Sequence, residues 1–427
     1  MTMNRRNFLK TSGVAAAGVA ALGGLSAART AHANGNGKIR AVLIGCGGRG
    51  NGAAHDFLTV ENTEIVAVAD AFGDRANGAA GGLNVPKDRV FVGFDAYRKA
   101  LAVDCDYAIL ASPPGFRPIH YKAAVEAGKH VFMEKPCCVD APGFRMLMEA
   151  NKMADDKGLK VGVGLQRRHE QSYLNGMKEL ADGKVGEFVF TRVYWNGGGV
   201  WVNSRQEQWT EMEYQMRNWY YFNWLCGDNI CEQHVHNLDV GNWVKTVMSD
   251  KNMFEEFCHP VRCNAMGGRQ VRTGSPNYGE IYDHHFVEYE YQDGTRMISQ
   301  CRHQPNTWSP VHENIHGTKA IGGAGVTGRG GGRNPYEQEH HDLVAAILSG
   351  ERYNEGYGGA FSSMTAVLGR MASYSGQVVD WNEAVEKGPA LMIYDGHDDL
   401  TMDSEAPVKL QADGQYAIAM PGIWKPW

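Results

Sequence analysis

The chain has no basic run: 42 Lys and Arg stand against 48 Asp and Glu among 427 residues, a formal charge of −6. A net acidic protein without a basic patch repels nucleic acid, which excludes that class of partner. There is no regular cysteine framework either. The nine cysteines (46, 105, 137, 138, 226, 231, 258, 263 and 301) are odd in number and unevenly spaced, so most are expected to be buried thiols. Cys258 and Cys263 do not have zinc spacing, and no metal is expected. The glycine-dense segment from Gly322 to Gly332 lacks Gly-Lys-Ser/Thr, so it reads as a mobile loop or lid and not as a phosphate loop.

What is present begins at the N-terminus. Arg5-Arg6-Asn7-Phe8-Leu9-Lys10 is followed by an Ala/Gly/Val stretch from Gly13 to Ala28 and by Ala31-His32-Ala33. A charged head, a short apolar run and an Ala-x-Ala end describe an export signal over residues 1–33, and the paired arginines match the twin-arginine route. An uncleaved anchor is the alternative, because the run is near the lower length for a membrane span. Cleavage removes four basic residues and no acid, leaves no stable membrane insertion and makes the mature chain more acidic. Its destination is the periplasm or another extracytoplasmic space. The length of the remainder predicts two domains, residues 34–160 and 161–427.

Ile39 to Ile44 is an apolar strand, and Gly45-Cys46-Gly47-Gly48-Arg49-Gly50 follows it ahead of a helix-compatible stretch. Side chains at these glycines would block both the tight turn and the approach of a pyrophosphate to backbone N–H groups. A second strand, Ile65 to Ala69, ends on Asp70. An acid there accepts the ribose hydroxyls of NAD and repels the 2′-phosphate of NADP, so NAD is favoured. Further strands end in Ser112-Pro113-Pro114 and Glu134-Lys135-Pro136, with a crossover helix from Pro118 to Ala127 between them. This alternation predicts a Rossmann, doubly wound parallel sheet with Ser112 and Lys135 at its ligand-binding edge.

After Gly186, strand-like segments (Glu187 to Trp195, Tyr282 to Tyr291, Thr295 to Arg302) predict an α+β domain. The Trp- and Tyr-rich stretch from Trp195 to Trp224 would line its cleft, pack its core or meet a second subunit. Asn334 to Leu348 and Ala360 to Tyr374 read as amphipathic helices. The run Cys231-Glu232-Gln233-His234-Val235-His236-Asn237-Leu238-Asp239 has two readings. As a helix it sets Glu232 and His236 on one face, followed by Asp239; as a strand it aligns Glu232, His234 and His236 like metal ligands.

The glycine turn, Ser112-Pro113-Pro114, His120 and Glu134-Lys135-Pro136 together resemble the Gfo/Idh/MocA oxidoreductases. That resemblance implies an open-faced mixed or antiparallel sheet in the second domain, C-terminal helices packed near the first sheet, a homo-oligomer, and Gly45 to Gly50, Asp70, Ser112, Pro113, His120, Glu134, Lys135 and Arg168 around the cofactor. It aligns His236 with the family's catalytic histidine and Asp239 with its second acid, favouring the helical reading. Glu232 stands where the family has Asp, and His234 replaces a small residue. Lys135, His236 and Glu232 are then the catalytic set, with Lys135 steadying an alkoxide, His236 moving the proton and Glu232 orienting the imidazole. Lys135, Arg168, His234 and His236 would meet a carbohydrate substrate. His234 keeps three readings: packing, substrate contact or metal. The expected reaction is hydride transfer between a sugar or polyol carbon and NAD. Its alternative is a glycoside hydrolase or lyase that retains NAD tightly and oxidises only transiently.

Overall fold

The computed structural model describes residues 37–254, 256–324 and 331–427. The export signal over residues 1–33 and the centre of the glycine-dense segment, 325–330, lie outside the described residues. The first sheet consists of β1 (Ile39–Ile44), β2 (Thr63–Asp70), β3 (Val90–Val92), β4 (Tyr107–Leu110), β5 (His130–Met133) and β6 (Val161–Val163). Its order is β3-β2-β1-β4-β5-β6, and every pairing is parallel. The central strands are near-continuous apolar runs because helices cover both faces: β1 reads IRAVLI and β4, YAIL, is buried throughout. The reversal of strand order between β1 and β4 opens a crevice at their C-terminal ends. This is where a doubly wound sheet binds its ligand.

The second sheet is mixed and seven-stranded. It consists of β7 (Phe188–Gly197), β8 (Arg262–Gly268), β9 (His284–Glu290), β10 (Arg296–His303), β11 (Val311–Gly317), β12 (Ile321–Gly322) and β13 (Val379–Asp380). The order is β12-β11-β7-β10-β9-β8-β13, with β7 and β10 parallel and the remaining pairs antiparallel. Alternation along β9 and β10 buries every second side chain against the helices Val235–Met248 and Gly356–Ser375. The opposite face is open, with Met266 72% and Ile321 65% exposed. Of the nine cysteines, all unpaired, only Cys258 is not buried.

Two helices tie the halves together. Pro335–Ser349 packs Leu343, Val344 and Ile347 under the first sheet, and its His340 meets the ring of Phe132 at 4.1 Å. Gly356–Ser375 begins earlier than apolar periodicity suggests, because its glycines buy close approach: a Cβ on Gly358 would collide with the Arg168 guanidinium. That guanidinium, in the turn after β6, forks onto Asp239 of the helix Val235–Met248, with Nε to Oδ2 at 3.0 Å and Nη2 on Oδ1. Ser362 of Gly356–Ser375 donates to the same Oδ1 at 2.7 Å. Three elements therefore share one buried ion pair. Arg168→Met, which strands the Asp239 carboxylate, should destabilise the protein by about 3–5 kcal/mol in equilibrium urea unfolding; an unchanged midpoint would contradict this.

Candidate active site

A cleft of about 760 Å³ runs from the glycine turn to the helices Asn229–Glu232 and Val235–Met248 of the second half. Its nucleotide end is shaped by backbone. Gly45 has φ of 97°, and a Cβ there would overlap Ala111 and Ser112; a Cβ on Gly50 would overlap the Gly45 carbonyl. The turn leads into the helix Gly48–Leu58, whose N-cap Gly47 supplies no side-chain cap, so its first N–H groups remain for an anion. At the end of β2 the Asp70 carboxylate accepts the N–H groups of Cys46 at 2.7 Å and Phe72 at 2.9 Å. Burial raises its pKa, and these two bonds oppose the rise. A bare turn, an uncapped helix start and a strand-end acid fit the pyrophosphate and ribose of a dinucleotide.

Next along the cleft, Ser112 Oγ lies 2.9 Å from His120 Nδ1, and that ring stacks on Tyr97 at 4.3 Å. Burial pushes the His120 pKa down to about 3, leaving it neutral. Glu134 is buried and forms an ion pair at 2.9 Å with Arg49, which also lies 4.8 Å over the Tyr336 ring. The glycine turn is thereby tied to the end of β5. Beyond it the Lys135 Nζ donates to the Glu232 carbonyl at 2.6 Å and lies 3.2 Å from the Glu232 carboxylate. Burial raises the Glu232 pKa, while the Lys135 charge opposes it. His236 lines the same end, its ring 5.9 Å from Trp195 and its Nδ1 without a hydrogen bond among the described residues. Burial, then the charges of Lys135 and Arg167, hold its pKa well below 6.5. A neutral imidazole and an anchored ammonium can share the work on one hydroxyl, the first taking its proton and the second steadying its oxygen.

Residues 39–165 match the oxidoreductase family with an NAD-binding Rossmann fold. Residues 39–165 are a Gfo/Idh/MocA oxidoreductase domain. Residues 2–23 match the twin-arginine translocation signal, which supports export by that route. The oxidoreductase is 24% identical over 339 residues to the inositol 2-dehydrogenase of Rhizobium meliloti, covering 77% of this chain and 88% of that one. It is 27% identical over 240 residues to a glycosyl hydrolase family 109 protein of Shewanella baltica, covering 51% of this chain and 50% of that one. Its fold matches the scyllo-inositol dehydrogenase of Lactobacillus casei solved with NAD(H) and scyllo-inositol, with a TM-score of 0.62 at 19% identity over 81% of this chain and 99% of that one.

The cleft of the oxidoreductase brings together Gly45 to Gly50, Asp70, Ser112, Pro113, His120, Glu134, Lys135, Glu232 and His236. It does not include Arg168, expected beside cofactor and substrate: that side chain is spent on Asp239 behind the cleft. His234 is also turned away. The run 229–248 is helical but broken at Gln233 and His234, and the break sends His234 into the core, where Nε2 meets Ser299 Oγ at 2.7 Å. Of its three readings, this burial and hydrogen bond fit packing. Glu232 was expected to orient the imidazole; it holds Lys135 instead.

Sequence reasoning missed several walls. Phe72, Arg75 and Tyr97 border the nucleotide end, and Tyr336 closes over it from the helix Pro335–Ser349. Arg75, five residues beyond Asp70 in a short βα unit, was open to inference; Tyr336 comes from a distant element with no local signal. In the aromatic stretch, Trp195, Trp201 and Trp219 reach the cleft, whereas Tyr214, Tyr221, Phe222 and Trp224 are core. In the oxidoreductase bearing Lys135→Met, the His236 pKa should rise, because one of the two cations that depress it is gone. NMR titration of the ring signals checks this; a titration that does not move to higher pH would remove Lys135 as a cause.

Proposed function

We propose that the enzyme oxidises or reduces one carbinol carbon of a small carbohydrate, a sugar or polyol, with Lys135 and His236 acting on its hydroxyl. The observation that carries this reading is the convergence of Lys135, Glu232 and His236 at one end of a cleft whose other end is the glycine turn and Asp70. When bound, NAD supplies the acceptor or donor for the hydride of the substrate carbon. In oxidation the hydroxyl gives its proton to His236, which burial keeps in the neutral, accepting form. The Lys135 ammonium stabilises the oxygen as negative charge grows on it. Glu232 fixes that ammonium through its carbonyl and carboxylate. In reduction His236 returns the proton to the same oxygen.

Asp70 favours NAD over NADP, because a 2′-phosphate would meet its carboxylate. The likeness to inositol dehydrogenases and the three tryptophans of the cleft support a polyol or sugar, whose C–H faces pack on aromatic rings. The twin-arginine signal supports cofactor loading in the cytoplasm, tight retention afterwards and work in the periplasm or another extracytoplasmic space. The exposed apolar side chains on the open sheet, Met266 and Ile321 among them, support a homo-oligomer. Residues 34–160 then serve as the nucleotide domain and 161–427 as the substrate and oligomerisation domain.

A second reading rests on the glycosyl hydrolase family 109 relative. There a ring carbon is oxidised, the neighbouring glycosidic bond is eliminated and the hydride is returned, with no net consumption of NAD. Purified enzyme incubated with inositols, sugars and glycosides separates the two. NADH formed in proportion to product supports the dehydrogenase; cleavage without added NAD or net NADH supports the alternative. Lys135→Met and His236→Asn should each lower kcat by about 10²–10⁴-fold with NAD binding largely kept. Full activity in either variant removes that residue from the chemistry.

A further inference from the structure

A second cavity, of about 320 Å³, lies between the C-terminal half of the helix Gly356–Ser375 and the chain's last segment, and shares no lining residue with the catalytic cleft. Ile418 and Ile423 border it and are 45% and 70% exposed, so it reaches the surface. Within it stands Arg370, only 4% exposed. Among the described residues its guanidinium forms no hydrogen bond or ion pair, and Nη1 is buried without a partner. A buried guanidinium without an acceptor is costly, and the acids around it do not relieve this one. Asp140 borders the cavity, but its carboxylate is taken by the N–H groups of Gly143, Leu391 and Met392 and by the Tyr394 hydroxyl. Glu280 accepts the Asn223 N–H at 2.9 Å and reaches Arg370 only through its field.

We propose that this cavity binds a small organic monocarboxylate, with its carboxylate on Arg370 and its apolar body against Met371, Leu391 and Trp424. The planar fork of arginine matches a carboxylate through two parallel N–H bonds. A single cation flanked by two acids disfavours a dianion such as phosphate, and the remaining walls are apolar apart from Asn223 and Tyr374, which bond each other. Burial pushes the Glu280 pKa up to about 7, so it is in part a neutral donor able to tolerate an anion nearby. The volume is at the lower end for ligand pockets and suits a one-ring acid.

The probe is phenylacetate, titrated calorimetrically into the full chain saturated with NAD, with phenylacetamide as the uncharged control. One saturable site is expected, about tenfold weaker for the amide and about tenfold weaker in Arg370→Met. Lys135→Met, which removes the cation of the catalytic cleft, should leave phenylacetate binding within about twofold. Ile423→Glu adds a like charge at the exposed mouth and should also weaken it, which decides the matter if Arg370→Met does not fold. No saturable binding, binding unchanged in both Arg370→Met and Ile423→Glu, or binding lost in Lys135→Met would overturn the assignment.

Discussion

The Lys135 ammonium is gripped by the carbonyl and the carboxylate of Glu232, a residue 97 positions further along the chain and in the other half of the molecule. Lys135 stands at the end of a parallel strand, where the doubly wound sheet delivers its ligand-facing groups. Glu232 ends a single helical turn, Asn229–Glu232, started by Asp228, whose carboxylate accepts the Asn229 N–H at 2.6 Å and the Tyr374 hydroxyl at 2.6 Å. The grip therefore requires both sheets, the helix Gly356–Ser375 and the cap of a short helix to be in place together. The Arg168–Asp239 pair acts in the same direction from behind, pinning the helix that carries His236 to the turn after β6.

Buried groups that are either neutral or paired give this region its electrostatic character. His120, His234 and His236 are each pushed below the ordinary histidine pKa chiefly by desolvation, with neighbouring cations adding to the effect. The imidazoles thus remain uncharged while Lys135, Arg167 and Arg168 carry the positive charge, each against a carboxylate. Around the cleft, neutral imidazoles and charged Lys and Arg side chains are therefore set apart by burial together with the carboxylates that pair the cations.

The nucleotide half was largely legible from sequence because its constraints are local. A turn that admits no Cβ must be written in glycine, and the acid that follows must end the next strand. Lys135 was legible for the same reason. The second half was less so. β8, read RCNAMGG, and β11, read VHENIHG, carry few β-branched or aromatic residues and gain their strand character from neighbours. Nothing within five residues of Arg168 or His234 announces that Asp239 or Ser299 will claim them. Residues that meet in the cleft could be picked out, but their pairing could not: Glu232 was singled out, and its attachment to Lys135 depends on contacts distant in sequence.

The walls of the cleft also divide its tasks by origin. Lys135 and His236 come from a strand end and a buried helix, both locked by packing, while Trp201, Asn203 and Trp219 come from the connection between β7 and the helix Asn223–Cys226, which carries only the short helices Glu211–Arg217 and Trp219–Tyr221. Exchange of residues in that connection can reshape this wall without disturbing the packing that holds Lys135 and His236. The fold thus keeps one end of the cleft rigid while leaving the shape of its other wall open to evolutionary change.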